Sequence, residues 1–355
     1  MNYTNKTHEA VQLLKQLVAT PSVSREEAAA ADLIQQYLQM KGYEPVRTGN
    51  NVWVKCKYFN ESLPTILLDT HIDTVKPVSG WTHDPFVPEE TADGTIFGLG
   101  TNDDGASLVS MIQAFISIDE MGGNPDFNFI FSASCEEEVS GKNGIESVIP
   151  LLPPISFAVV GEPTGMQPAI AEKGLMVIDV TTEGIAGHAA RNEGVNAIYK
   201  ALDDINWIKN HQFAKTSDLL GPVKTTVTII QAGTQHNVIP DRCQFTIDVR
   251  SNECYTNQEI FDEIAENLQG KAVARSFRLN SSSINPTHPF VQKAISLGLT
   301  PFGSPTLSNQ ALMPFPSVKI GPGDSSRSHT ADEFIKIDEI AQAIELLPQL
   351  LNFKQ

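Results

Sequence analysis

Residues 65–75 read TILLDTHIDTV, an apolar and β-branched run ending in a histidine two places before an aspartate, His71 and Asp73. A run so short, and so rich in β-branched residues, suits a strand buried on both faces rather than a helix. Three others share its texture: NVWVKC (51–56), NFIFSASC (128–135) and ISFAVVGEP (155–163). Between TILLDTHIDTV and NFIFSASC lies ASLVSMIQAFISIDEM (106–121), long enough and apolar enough for a core helix. Strands apolar on both faces and separated by helices predict a covered α/β sheet.

Upstream, Val11, Leu14, Leu17 and Val18 recur at helical spacing over 7–19, and Thr20-Pro21 closes that helix. Ser24, with Glu27 three residues on, predicts the capping box of a second helix running through Leu33, Ile34 and Leu38 to Gly42. Downstream, the texture changes at about Gly174. LMVIDVTTEGI (175–185) and TTVTIIQAGT (225–234) alternate like half-exposed strands, whereas GVNAIYKALDDINWI (194–208) and NQEIFDEIAENLQ (257–269) have amphipathic helical spacing. That order predicts a small α+β domain with one sheet face free. Near Asn280 the apolar runs resume with THPFVQKAISLG and PSVKIGPGD, and a last helix follows Lys336. The expectation is a sheet domain in two pieces, 1–173 and 280–355, interrupted by an inserted domain over 174–279.

The length of 355 residues is more than one core usually organises, in keeping with two domains. A formal net charge of −17, with no basic tract, argues against nucleic acid or an anionic membrane as partner. Four scattered cysteines without a CxxC pair fit reduced thiols, and no apolar run suits a signal peptide or a membrane span. A soluble, cytoplasmic protein is expected.

Chemistry concentrates at the ends of the apolar runs. His71 and Asp73 lie two apart and face the same way on a strand, so the aspartate can orient an imidazole that binds metal. Asp103 and Asp104 follow the glycine-rich GLG turn just before the 106–121 helix. Asp104 reads as an N-terminal helix acid and Asp103 as a cleft-facing carboxylate. The spacing Gly98-x-Gly-x-x-Asp has a nucleotide-loop look, but acidic residues there repel phosphate. Glu136, Glu137 and Glu138 follow NFIFSASC, Glu162 follows ISFAVVG, and His329 lies in SRSHTADEF. Each has a plain alternative, such as a solvated acidic loop, a turn glutamate or an exposed loop histidine. Together, however, they gather where sites form in open α/β sheets. Oxygen and imidazole donors without cysteine suit a pair of Zn²⁺ ions, with Co²⁺ or Mn²⁺ as substitutes.

In that motif order the chain resembles the co-catalytic zinc family of acetylornithine deacetylase, succinyl-diaminopimelate desuccinylase, aminoacylase and related exopeptidases. The resemblance runs along essentially the whole chain. It implies a zinc-peptidase-like catalytic sheet domain with an inserted, ferredoxin-like α+β domain that forms a homodimer. It implies two zinc ions per subunit, with His71 on one, His329 on the other, Asp103 bridging, and Glu137 and Glu162 each completing a site. Glu136 would be the general base and Asp73 would orient His71. GIAGHAAR would place His188 as a group reaching a neighbouring subunit's site, and QHNVIPDRCQFTIDVR would supply Asn237 and Arg250 for a substrate carboxylate. Two departures matter: Asp104-Gly105-Ala106 follows the bridging position without the family's lysine, and Cys135 stands where an aspartate usually precedes the acidic pair. With three glutamates in a row the register can also slip by one, making Glu137 the base and Glu138 the ligand.

The activity implied is amide hydrolysis of an N-acyl amino acid, foremost N-acetyl- or N-succinyl-ornithine in arginine biosynthesis. Succinyl-diaminopimelate and small dipeptides are the alternatives within the class. A non-catalytic, metal-dependent binding dimer is the alternative outside it.

Overall fold

The computed structural model describes residues 4–354. They divide into two compact units, one made of the chain up to Ile170 with Ile284–Phe302 and everything from Ser308 onward. The other takes Ala171–Ser283 and Gly303–Leu307. The protein is mixed α/β, with a sheet unit and an inserted α+β unit.

The first unit opens with α1 (Asn5–Val18), α2 (Ala28–Met40), β1 (Val46–Thr48), β2 (Asn51–Lys55) and β3 (Thr65–His71). Next come β4 (Glu89–Glu90), β5 (Thr95–Phe97), α3 (Ala106–Glu120), β6 (Asn128–Ser134), α4 (Ile145–Val148) and β7 (Ile155–Val160). All seven residues of β3 and all seven of β6 are buried, as strands covered on both faces must be, and polar members such as Asp69 and Ser134 are hydrogen-bonded inside. β3 is central, parallel to β6 on one side and to β7 on the other. Helix α3 buries 13 of its 15 residues and so forms a core layer rather than a half-wet surface helix.

The predicted capping box at Ser24 does not form. α2 begins at Ala28, and Glu27 occupies its N-cap position without a side-chain cap bond. Both side chains are drawn elsewhere by partners distant in sequence: Ser24 Oγ donates to Asp73 Oδ2 at 2.7 Å, and the Glu27 carboxylate accepts from Asn50 Nδ2 at 2.9 Å.

β8 (Ala169–Glu172) leads to the second unit, which runs β9 (Met176–Glu183), β10 (Gly187–His188), α5 (Ala197–Asn210), β11 (Lys224–Ala232), β12 (Val238–Ile239), β13 (Arg242–Arg250), α6 (Asn257–Asn267) and β14 (Lys271–Ala274). Its antiparallel sheet has the order β11-β13-β9-β14. With β10 and β12 set apart as a small ribbon, this is the βαββαβ order of a ferredoxin-like fold. Met176, Ile178 and Val180 alternate inward on β9, and Phe245, Ile247 and Val249 do so on β13, so one face makes the core with α5 and α6. β15 (Ser282–Ser283) leads back, and the first unit is completed by α7 (Pro289–Ser296), β17 (Ser317–Lys319), β18 (Phe334–Lys336) and α8 (Ile337–Leu350), β16 (Phe302–Ser304) lying between α7 and β17. β17 extends the sheet parallel to β7, and β18 pairs with β5. All four cysteines are free, and no helix among the described residues is long and apolar enough to cross a membrane.

Phe131 is fully buried against Phe115, their ring centroids 6.2 Å apart. Phe131→Ala is expected to cost about 3–5 kcal/mol through lost transfer and cavity terms. Thr256→Ala, which removes the capping box of α6, is expected to cost only about 1 kcal/mol. Urea unfolding of the two variants checks both figures; equal costs would mean that Phe131 is not held in a close-packed core.

Candidate metal centre

Parallel pairing brings distant carboxylates to one edge. His71 ends β3 opposite Ser134 of β6, so the glutamates after Ser134 emerge beside it. Asp69 pairs with Val160 of β7, which sets Glu162, two residues on, level with His71. Asp103 arrives from the loop after Gly100, whose φ of 74° is the left-handed turn that glycine allows. His329 comes from the segment before β18.

Asp103 stands between the two imidazoles. Its Oδ1 lies 3.0 Å from His71 Nε2 and its Oδ2 3.6 Å from His329 Nε2. Glu138 Oε2 is 2.9 Å from the same His329 nitrogen. Ligand atoms of His71, Asp103 and Glu138 fall within 4.8 Å of one another, and so do those of His71, Glu137 and Glu162. The structure thus brings His71, Asp103, Glu137, Glu162 and His329 together, with Glu138 among them.

Glu136 is not in that group. Its backbone is left-handed, with φ 57°, and its Oε1 accepts from Asn143 Nδ2 at 2.8 Å, away from the imidazoles. Glu136 therefore lies outside the cluster, whereas Glu137 and Glu138 both lie within it. The reason is local: only Glu137 and Glu138 leave the turn toward His71 and His329.

Asp73 meets His71 through its main chain as well as its carboxylate. His71 Nδ1 donates to the Asp73 main-chain oxygen at 2.9 Å, and the nearest Asp73 carboxylate oxygen is 3.6 Å away. The carboxylate also accepts from the amides of Glu137 at 2.9 Å and Glu138 at 3.1 Å. It holds the turn and stands beside the His71 ring.

The electrostatics of the cluster call for a cation. Burial pushes the Glu137 and Glu162 carboxyls well above the usual range, opposed chiefly by His71 for Glu137 and by Lys319 for Glu162. The neighbouring carboxylates add to that rise, Asp103 at both groups. Glu138 is raised too, by burial first. Carboxylates this close keep their charge only beside positive charge. Hard oxygen donors and imidazole, with no thiol among them, fit a divalent ion such as zinc.

Three further residues support the cluster: Glu333, which the sequence did not single out, and Glu27 and Ser24, which it assigned to a helix cap. Glu27, fully buried, accepts from the amide of Glu136 at 3.2 Å. Glu333, 2% exposed, accepts from the amides of Gly100, Asn102 and Asp103. Ser24 holds Asp73. Each bond spans tens to hundreds of residues, so no local pattern announces it.

The remaining expected residues lie in the second unit. His188 on β10 pairs with Val238 on β12, and the Asn237 carbonyl accepts from the Ala189 amide at 3.0 Å, so both sit exposed on one ribbon. Arg250 stands at the far end of β13, where its guanidinium donates to Asp248 at 2.9 and 3.2 Å. It does not share the ribbon.

Residues 67–352 match the family model described as peptidase family M20/M25/M40. The chain belongs to this family. Among the relatives of this M20 member is acetylornithine deacetylase of Proteus mirabilis, 26% identical over 373 residues that cover 96% of each chain. Succinyl-diaminopimelate desuccinylase of Corynebacterium glutamicum is 25% identical, covering 97% of this chain and 96% of its own. Among solved structures, a tripeptidase of Staphylococcus aureus superposes with a TM-score of 0.77 at 20% identity, covering 99% of both chains. A dinuclear metal-binding peptidase of Bacillus subtilis gives 0.74 at 18% identity and 97% coverage of both. These last two speak for the M20 fold alone.

A divalent ion at about 100 times its Kd is expected to stabilise chelator-stripped protein by about 2.7 kcal/mol, read as a rise in Tm. The rise should shrink in His71→Ala and Glu138→Ala. A gain of equal size in both variants would put the ion somewhere else.

Proposed function

We propose that this chain is a two-metal hydrolase that cleaves the amide bond of a small N-acyl amino acid, with N-acetyl- or N-succinyl-ornithine as the leading substrates and a role in arginine biosynthesis. The observation that carries the reading is Asp103, whose two oxygens each face a different imidazole, the position of a carboxylate shared between two ions. His71 and Glu162 would complete one ion's set, Glu138 and His329 the other's. Zinc suits these donors, with Co²⁺ or Mn²⁺ as substitutes. When bound, the two ions would supply Lewis acidity toward the amide carbonyl and the attacking water.

Glu137 is the general base in this reading. Its carboxylate lies within ligand distance of His71 and Glu162, beside the water that such a centre would hold. It takes a proton from the attacking water and delivers it to the departing amine. Asp73 holds the Glu137 and Glu138 amides so that both carboxylates keep their directions. His188 donates to the developing oxyanion, a contribution of about 3 kcal/mol by analogy with oxyanion-hole donors. Asn237 and Arg250 recognise the substrate's carboxylate, Arg250 exchanging Asp248 for it.

The inserted unit supports a homodimer. β11 is an edge strand of its sheet, and Ile229 and Ile230 on it remain about half exposed. Unpaired edges are commonly covered, and the same edge of a second copy gives a closed two-fold pair. In that arrangement His188 serves the site of the other subunit, and the inserted unit acts as dimerisation and lid domain to a catalytic first unit.

Free amine released from a panel of N-acetylornithine, N-succinylornithine, N-succinyl-diaminopimelate and a dipeptide tests the substrate. Release should be fastest from an acylornithine and should stop with chelator. Glu137→Gln should lower kcat by at least about a hundredfold with both ions retained, whereas Glu136→Gln should cost far less. The reverse ranking would restore Glu136 as base. Release only from the dipeptide would make the chain a peptidase, and release from nothing a binding protein.

Mixing His188→Ala with Glu137→Gln should recover activity, because a hybrid dimer assembles one site with both groups. If exchanged dimers recover none, His188 acts within its own chain or has no part in the reaction.

A further inference from the structure

Gly100, Asn102 and Asp103 belong to a loop that is not helical at its key residue, Asp103 having φ −123° and ψ 96°. Their amides therefore lack the i−4 carbonyl partners of a helix, and buried amides without partners are costly. One carboxylate takes all three. Glu333 Oε1 accepts from Asn102 N at 2.8 Å and Asp103 N at 2.9 Å, and Oε2 accepts from Gly100 N at 3.1 Å.

The anchor of Glu333 is itself firm. Phe334, Ile335 and Lys336 of β18 pair in register with Phe97, Ile96 and Thr95 of β5, and the Glu333 carbonyl accepts from Gly98 N at 3.0 Å. The segment carrying His329 is thus zipped to the strand that feeds the Asp103 loop. Asn102 adds a second tie, its Nδ2 donating to the Asp324 carbonyl at 3.0 Å and to Ser328 Oγ at 3.2 Å. Burying a carboxylate beside Asp103 is unfavourable electrostatically, so packing alone does not account for a glutamate at this position.

We infer that Glu333 is a positioning residue for metal binding, fixing Asp103 relative to His329 through three main-chain bonds. The inference rests on the metal-centre reading above. Glutamine at 333 keeps one oxygen for Asn102 and Asp103 but turns an NH₂ group toward the Gly100 amide, donor against donor. Outer partners of metal ligands commonly contribute 10–100-fold in affinity.

The test titrates the chelator-stripped full chain with Zn²⁺, and with Co²⁺ followed by its visible absorption, in wild type, Glu333→Gln, Glu333→Asp and Asp119→Asn. Asp119 is a buried carboxylate that accepts from the Lys57 amide and stands apart from the site, so it controls for loss of a buried acceptor. Glu333→Gln should bind both ions about 10–100-fold more weakly, with an altered Co²⁺ spectrum. Asp119→Asn should lower Tm and leave affinity within about twofold, and Glu333→Asp, which keeps the charge but is a methylene shorter, should fall between.

Affinity within twofold in a cooperatively folded Glu333→Gln overturns the inference. A wild type that binds neither ion overturns the metal-centre reading and this inference with it. Should Glu333→Gln not fold, Glu333→Asp and hydrogen exchange of the metal-free wild type decide. The amides of Gly100, Asn102 and Asp103 should be strongly protected, and rapid exchange of all three also overturns it.

Discussion

Asp103, Glu137, Glu138 and Glu162 crowd around the buried imidazole of His71 and the half-exposed one of His329 at one edge of a sheet. Burial of these charges is the largest unfavourable term in the neighbourhood, and repulsion between the carboxylates adds to it. The local structure answers it in two ways. Positive charge is drawn in, from Lys319 toward Glu162 and from the imidazoles toward Asp103 and Glu138. Around this cluster, main-chain amides are aimed at further carboxylates, so that the loops bearing the repelling groups cannot relax outward.

That outer ring has a common logic. Asp73 takes the amides of Glu137 and Glu138, Glu333 those of the Asp103 loop, and Glu27 that of Glu136. Each is a carboxylate satisfied mainly by backbone donors rather than by an arginine or lysine. Such bonds are charge-assisted and stronger than neutral ones, and they fix backbone instead of competing with the ligands for a cation. The arrangement leaves the inner carboxylates short of positive charge, as an acceptor site for a dication requires.

The sheet explains why this happens at one edge only. β6, β3 and β7 are adjacent and parallel, so their carboxyl ends coincide, and register sets His71 level with Ser134 and near Glu162. An antiparallel arrangement would have sent alternate ends to opposite edges. The second unit, whose sheet is antiparallel, accordingly presents its exposed His188 and Asn237 on a separate short ribbon, while Arg250 lies at the far end of β13.

The sequence by itself determined the strands, the inserted α+β unit and most of the cluster. Apolar runs terminate abruptly in His71, Glu162 and the three glutamates, and a polar group at the end of a doubly buried strand has few places to go but the sheet edge. Local pattern could not tell Glu136 from its two neighbours, because three identical side chains carry no periodicity. The left-handed backbone at Glu136 and its partners Asn143 and Glu27 set it apart from the other two. Nor could it find Glu333, or read Glu27 as anything but a helix cap. The bonds that define those residues join segments brought together only when the sheet forms, and a hydrogen bond across hundreds of residues leaves no trace in the spacing of either partner.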